Sequence, residues 1–169
     1  MPKLPMDILK RRVSQELALA KRKLNHIIAI EGGEIEDFPI SLMVTLISTP
    51  GPVWRKNLLS HKNTHQFRVT ITDSYPYEKP IVKWESEIFH PNVKIPEDGG
   101  DLCTRLLSGW GFQSNLLSFI KGIESLLTNP NPKSPWGTDS CTTAAQYFNT
   151  HEYETPSVGA VDTGPRIVR

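Results

Sequence analysis

Cysteine is scarce in this 169-residue chain, where Cys103 and Cys141 are the only two. Two cysteines cannot build the multi-bridge framework of a small secreted scaffold. A chain of this length is one domain's worth and buries roughly 70% of its unfolded surface, so it needs no disulfide or metal to hold a core. Charge of one sign is lacking too: 19 basic residues face 18 acidic ones, for a formal charge of +1. That balance argues against nucleic-acid binding and against a polybasic membrane protein, both of which need clustered positive charge. No apolar run approaches the ~18 residues of a membrane span, and the opening MPKLPMDILKRR has no apolar signal-peptide core. The expectation is a cytoplasmic protein with reduced thiols. There is no glycine-rich phosphate loop, and no paired carboxylates stand out. His61 and His65 have the spacing of two metal ligands on a helix, but their segment reads as loop running into strand, and no acidic or cysteine ligand completes a set. No metal and no cofactor are expected.

What the chain does have is patterned hydrophobicity. Residues 5 to about 25 carry Leu9, Val13, Leu17, Ala20 and Leu24 at three- and four-residue steps, predicting an amphipathic helix whose outer face bears Lys10, Arg11, Lys21, Arg22 and Lys23. From residue 25 to 84 the pattern becomes strand-like: HIIAI, PISLMVTLIS, QFRVTIT and PIVKW, with a long loop expected from Pro50 through His61. Four consecutive strands with short connections favour an antiparallel meander, covered on one face by the helix. Residues 86 to 113 show no periodicity, which inside a compact domain marks a functional segment. Helical signals resume at Ser114 or Asn115, either a plausible N-cap, and run through Leu116, Leu117, Ile120, Ile123, Leu126 and Leu127 until three prolines in TNPNPKSPW stop them. A last short helix is predicted from near Thr138 to about residue 149. The expected organisation is one α/β (α+β) domain over residues 1–150, followed by a mobile tail over 151–169.

Cys103, in GGDLCTRLL, reads either as a small buried hydrophobe or as a nucleophile on an extended loop. A thiolate attacks well near neutral pH, and a thioester keeps an acyl group reactive toward amines. Acyl transfer also needs a donor for the tetrahedral oxyanion, and the side-chain amide of Asn92, in HPN, is a candidate. Asparagine after proline equally shapes turns through its own backbone. His90 reads as a base or, more ordinarily, as a structural histidine, and Cys141 as packing. A Cys103–Cys141 disulfide stays open.

YPYEKPIVKW, IFHPNV, GDLCTRLL, GW, SFIKGIESLLTNPNPKSPW and AAQYF occur in an order and spacing that closely resemble the ubiquitin-conjugating enzymes, from Met6 to about Phe148. The resemblance implies a fold with an N-terminal helix, a four-stranded antiparallel meander, an active-site loop and C-terminal helices. It also implies a reaction without a cofactor. Cys103 takes ubiquitin or a ubiquitin-like modifier from the thioester on an activating enzyme and passes it to a substrate lysine, usually with a ligase. By the same resemblance Asn92 stabilises the oxyanion or orders the loop, with His90 and Pro91 in the loop-ordering motif, and Ser134 falls where the family orients the incoming lysine. A serine there offers a hydrogen bond but no negative charge. Lys10, Arg11 and Arg12 match the face that docks the activating enzyme. Tyr77, Trp110 and Phe112 match the loops expected against a RING-type ligase.

The chain also departs from the family pattern. The loop between HPN and the cysteine is longer, around PEDGG; the connection WRKNLLSHKNTH is unfamiliar; and Gly111-Phe112-Gln113 replaces the common Ser-Pro after Trp110. The C-terminal region is short for a full fourth helix. These departures hint at a divergent member, one that could lie outside the usual eukaryotic set. The alternative function is a non-catalytic variant that binds the modifier as an adaptor; such relatives typically lose the cysteine that stands here in register with HPN.

Overall fold

The computed structural model describes residues 2–103 and 109–154. Helix α1 (Met6–Lys23) buries Leu9, Val13, Leu17 and Ala20 along one stripe. Lys21, Arg22 and Lys23 occupy its last turn, where positive charge complements the carbonyl end of the helix dipole. The chain then turns into a four-stranded antiparallel sheet made of β1 (Ile28–Gly32), β2 (Ile40–Leu46), β5 (His65–Ile71) and β6 (Ile81–Trp84), in the order β1-β2-β5-β6. This is the expected meander.

Period-two alternation decides which face is covered. Leu42, Val44 and Leu46 of β2 register opposite Val69, Phe67 and His65 of β5, and Phe67 in turn sits opposite Trp84, its ring stacked at 5.5 Å. The apolar side chains among these share one core with the stripe of α1 and with Leu116, Phe119, Ile120, Ile123, Leu126 and Leu127 of α2 (Leu116–Thr128). The opposite sheet face is polar, as shown by the Arg68–Glu85 ion pair at 2.8 Å. Of the two N-cap candidates, Asn115 is the cap: its Oδ1 accepts the Ser118 N–H at 2.8 Å. Helix α3 (Asp139–Thr150) is capped in the same way by Thr138. No helix among the described residues is long and apolar enough to cross a membrane.

The stretch expected as a long loop is instead a second sheet. β3 (Gly51–Arg55) and β4 (Leu58–Lys62) form a hairpin, with Arg55 opposite Leu58. Its two-residue turn places Lys56 and Asn57 at φ 53° and 62°, the left-handed pair that matches strand twist. Lys-Asn lacks the glycine that usually advertises such a turn, and burial along β4 does not alternate, so the pattern was silent in sequence. The hairpin seats Trp54 against Phe89 and Tyr147, with ring centroids 5.0 and 5.4 Å away. Chain contacts continue past α3, where His151 stacks on Tyr147 and Tyr153 packs on Phe148 and His61. The remainder of the expected tail, 155–169, lies outside the described residues.

Candidate active site

The HPN segment is anchored before it reaches the cysteine. Phe89 N–H donates to Pro52 of β3 at 2.8 Å. His90 is fully buried, and both of its ring nitrogens are committed. Its Nδ1 accepts the Asn92 backbone N–H at 3.0 Å, and its Nε2 lies 2.9 Å from the Leu126 carbonyl of α2. An amide N–H only donates, so Nδ1 is unprotonated and Nε2–H donates to Leu126. Burial holds the ring neutral, pushing its pKa down to about 4. The ring has no nitrogen to spare as a base.

Asn92 is equally committed. Its Nδ2 donates to the carbonyls of Asn131 and Ser134 at 3.0 and 3.1 Å, while its Oδ1 accepts the Asn131 N–H at 2.7 Å. The side chain thereby ties the HPN turn to the proline-rich segment after α2. The Asn92 backbone carbonyl takes two donors: the Cys103 N–H at 2.9 Å and the Trp136 indole N–H at 3.0 Å. Trp136 also donates its backbone N–H to Pro91 at 3.0 Å.

Cys103 reaches this position through the PEDGG excursion. A 3-10 turn (Pro96–Asp98) leads into Gly99 and Gly100, at φ 102° and 71°. A Cβ on Gly100 would stand 2.5 Å from the Trp84 carbonyl, so only glycine lets the loop lie on β6 this closely. Lys94 N–H then donates to the Asp101 carbonyl at 2.9 Å, Val93 bridges Leu102, and the next residue is Cys103 beside Asn92. Cys103 is 4% exposed. Residues 104–108, which follow it, lie outside the described residues. Both cysteines are free, so the Cys103–Cys141 disulfide left open by the sequence is not formed. Cys141 packs under the site with its thiol 3.4 Å from the Val93 carbonyl, and burial raises its pKa.

The family model described as ubiquitin-conjugating enzyme matches residues 12–157. This chain belongs to that family. Among curated relatives, a ubiquitin-conjugating enzyme of Dictyostelium discoideum is 34% identical over 53% of this chain and 56% of its own length. A probable ubiquitin-conjugating enzyme of Acanthamoeba polyphaga mimivirus is 29% identical over 59% and 66%. The NEDD8-conjugating enzyme ubc12 of Schizosaccharomyces pombe is 37% identical over 41% and 38%. The matched span thus covers less than two thirds of each of these relatives. Among solved structures, Saccharomyces cerevisiae Ubc12 superposes with a TM-score of 0.64 at 22% identity, covering 85% of this chain and 70% of that one. A likeness at that identity speaks for the fold.

In this family member the candidate residues fall into two groups. Cys103, Asn92, His90, Pro91 and Ser134 converge through the bonds above, Ser134 through its backbone N–H and carbonyl. The second group joins α1 to two loops. Tyr77 and Phe112, 41% and 50% exposed, lie with ring centroids 5.5 Å apart. Trp110 is tucked behind them, its indole N–H donating to the Pro76 carbonyl at 2.9 Å. Arg12 turns inward rather than out: its Nη2 donates to the carbonyls of Phe112 and Ser114 at 2.7 and 2.9 Å, and its Nε bonds Glu16. Glu16 also accepts the Leu116 N–H at the start of α2 and the Tyr75 hydroxyl. Arg12 is therefore built into the loop support, whereas Arg11 on the same helix is exposed and Lys10 half-buried.

Trp136 was missed in sequence. A tryptophan closing a proline-rich segment needs a partner for its N–H, and that was the available signal. The partner it found could not be named without the fold. Among the described residues no group of three or more His, Cys, Asp or Glu side chains is placed to hold a metal ion.

Proposed function

We propose that the chain is an active conjugating enzyme. Cys103 accepts the C-terminal acyl group of ubiquitin or a ubiquitin-like modifier from an activating-enzyme thioester, releasing that enzyme's thiol. A substrate lysine amine then attacks the Cys103 thioester, forming an isopeptide bond and freeing Cys103. The observation that carries this reading is the bond from the Cys103 amide to the Asn92 carbonyl, which joins the family's cysteine and HPN motifs into one site. Relatives named for ubiquitin and for NEDD8 leave the proposal at the level of a ubiquitin-like modifier.

In this site Asn92 orders the loop, because both of its amide hydrogens are held by backbone carbonyls. Contact with an oxyanion would require Nδ2 to leave them. Ser134 stands on the lysine-receiving side and supplies a hydrogen bond without charge. Lys10 and Arg11 are offered to the activating enzyme, and Tyr77 with Phe112 forms the apolar contact for a RING-type ligase. The proposed setting is the cytoplasm.

The near-complete burial of Cys103 favours a second reading, a modifier-binding adaptor that forms no thioester. Incubation with activating enzyme, ATP and modifier separates the two. A reductant-sensitive adduct heavier by one modifier, lost in Cys103→Ala and reductant-resistant in Cys103→Ser, is the expected result. No adduct from folded protein with a competent activating enzyme would overturn the enzyme reading.

A further inference from the structure

Trp136 is bonded to the HPN segment that holds Cys103. Its indole N–H bonds the same Asn92 carbonyl that holds the Cys103 amide, and its backbone N–H bonds Pro91. The Lys94 ammonium lies 4.6 Å from the centre of its ring and reaches 3.1 Å to Asp101, two residues before the cysteine. Its own chain runs back two residues to Ser134, whose carbonyl is bonded by Asn92. One residue therefore links the wall that would receive the lysine to the carbonyl that holds the Cys103 amide.

We infer that Trp136 is a positioning residue for thioester transfer, acting by fixing the Asn92 carbonyl and hence the Cys103 backbone. The inference rests on the proposed role of Cys103 and extends it. The indole donor carries the effect, and the ring face adds to it by holding Lys94 beside Asp101. Without the N–H, the carbonyl keeps a single donor and the cysteine amide loses the second tether on its acceptor. A misplacement of this kind lowers the rate of reaction rather than the affinity for the acceptor.

Trp136→Phe keeps the ring and the cation stack but removes the donor, and Trp136→Leu removes both. Two measurements on the full chain are expected to move together. Amide hydrogen exchange at Cys103 quickens in Trp136→Phe by about three- to tenfold, the scale of one neutral hydrogen bond, while exchange in α2 stays unchanged. The maximal rate of single-turnover discharge to free lysine falls by a similar factor with an unchanged half-saturation concentration, and falls further in Trp136→Leu. Unchanged exchange at Cys103 in Trp136→Phe would overturn the inference. So would altered exchange with an unaltered discharge rate, or equal quickening across α2, which would mark a general structural role. If the wild type forms no thioester, the enzyme reading fails and the catalytic role of Trp136 falls with it, while the exchange data still report whether Trp136 holds Cys103.

Discussion

The ring of His90 accepts the backbone N–H of Asn92 at 3.0 Å, so a proton on Nδ1 breaks the turn that carries the candidate site. His65, buried in β5 with its Nε2 2.7 Å from the Lys62 carbonyl, is likewise pushed down to about 4 by burial. Unfolding releases both histidines to a value near 6.5, so the unfolded chain binds more protons between pH 6.5 and 4. Stability is complete above that window and falls as pH drops through it, by roughly 3 kcal/mol per histidine. The lowered carboxyls of Glu87 and Asp101 act in a more acidic window, their contribution lost as pH falls below the normal carboxylate range. Urea midpoints measured from pH 7 to pH 4 check this; a flat profile would contradict the buried neutral rings.

Asn92→Ala leaves the Asn131 N–H without its acceptor and two carbonyls without their donor, at a cost of about 3 kcal/mol in unfolding free energy. Asn92→Asp keeps one acceptor but turns a second oxygen against two carbonyl oxygens, and is expected to be at least as destabilising at pH 7. Because the side chain orders the loop, charging and discharge slow together in both variants. A selective loss of discharge in an otherwise stable Asn92→Ala would instead assign the amide to the oxyanion.

Arg12→Lys preserves the charge but not the fork that reaches the Phe112 and Ser114 carbonyls and Glu16. The expected loss is about 2 kcal/mol, the scale of hydrogen bonds to a charged group, read by thermal or urea unfolding. Arg11→Ala, on the exposed side, leaves stability within about 0.5 kcal/mol. Comparable losses in the two variants would show that Arg12 does not brace the loop.

The hairpin turn runs the other way. Lys56→Asn with Asn57→Gly suits the left-handed angles already present and is expected to raise stability by about 1 kcal/mol. An unchanged or lowered melting temperature would argue against this turn geometry.

Elements whose signal is local were legible before the fold. The stripe Leu9–Val13–Leu17, the alternation Phe67–Val69–Ile71 and the Asn115 cap each lie within one or two turns of chain, and amphipathic period follows from backbone geometry alone. The motif order HPN, cysteine, proline-rich segment pointed to the family by resemblance. Tertiary structure decided what those residues do with their polar atoms. Arg12 meets Phe112 across a hundred positions, and Trp136 meets Asn92 across forty-four, because packing α1 and the post-α2 segment against the sheet brings their backbones together. A basic residue on a helix looks the same in sequence whether it faces a partner or a neighbouring loop. Buried donors and acceptors must be satisfied, but only the packed fold determines by whom.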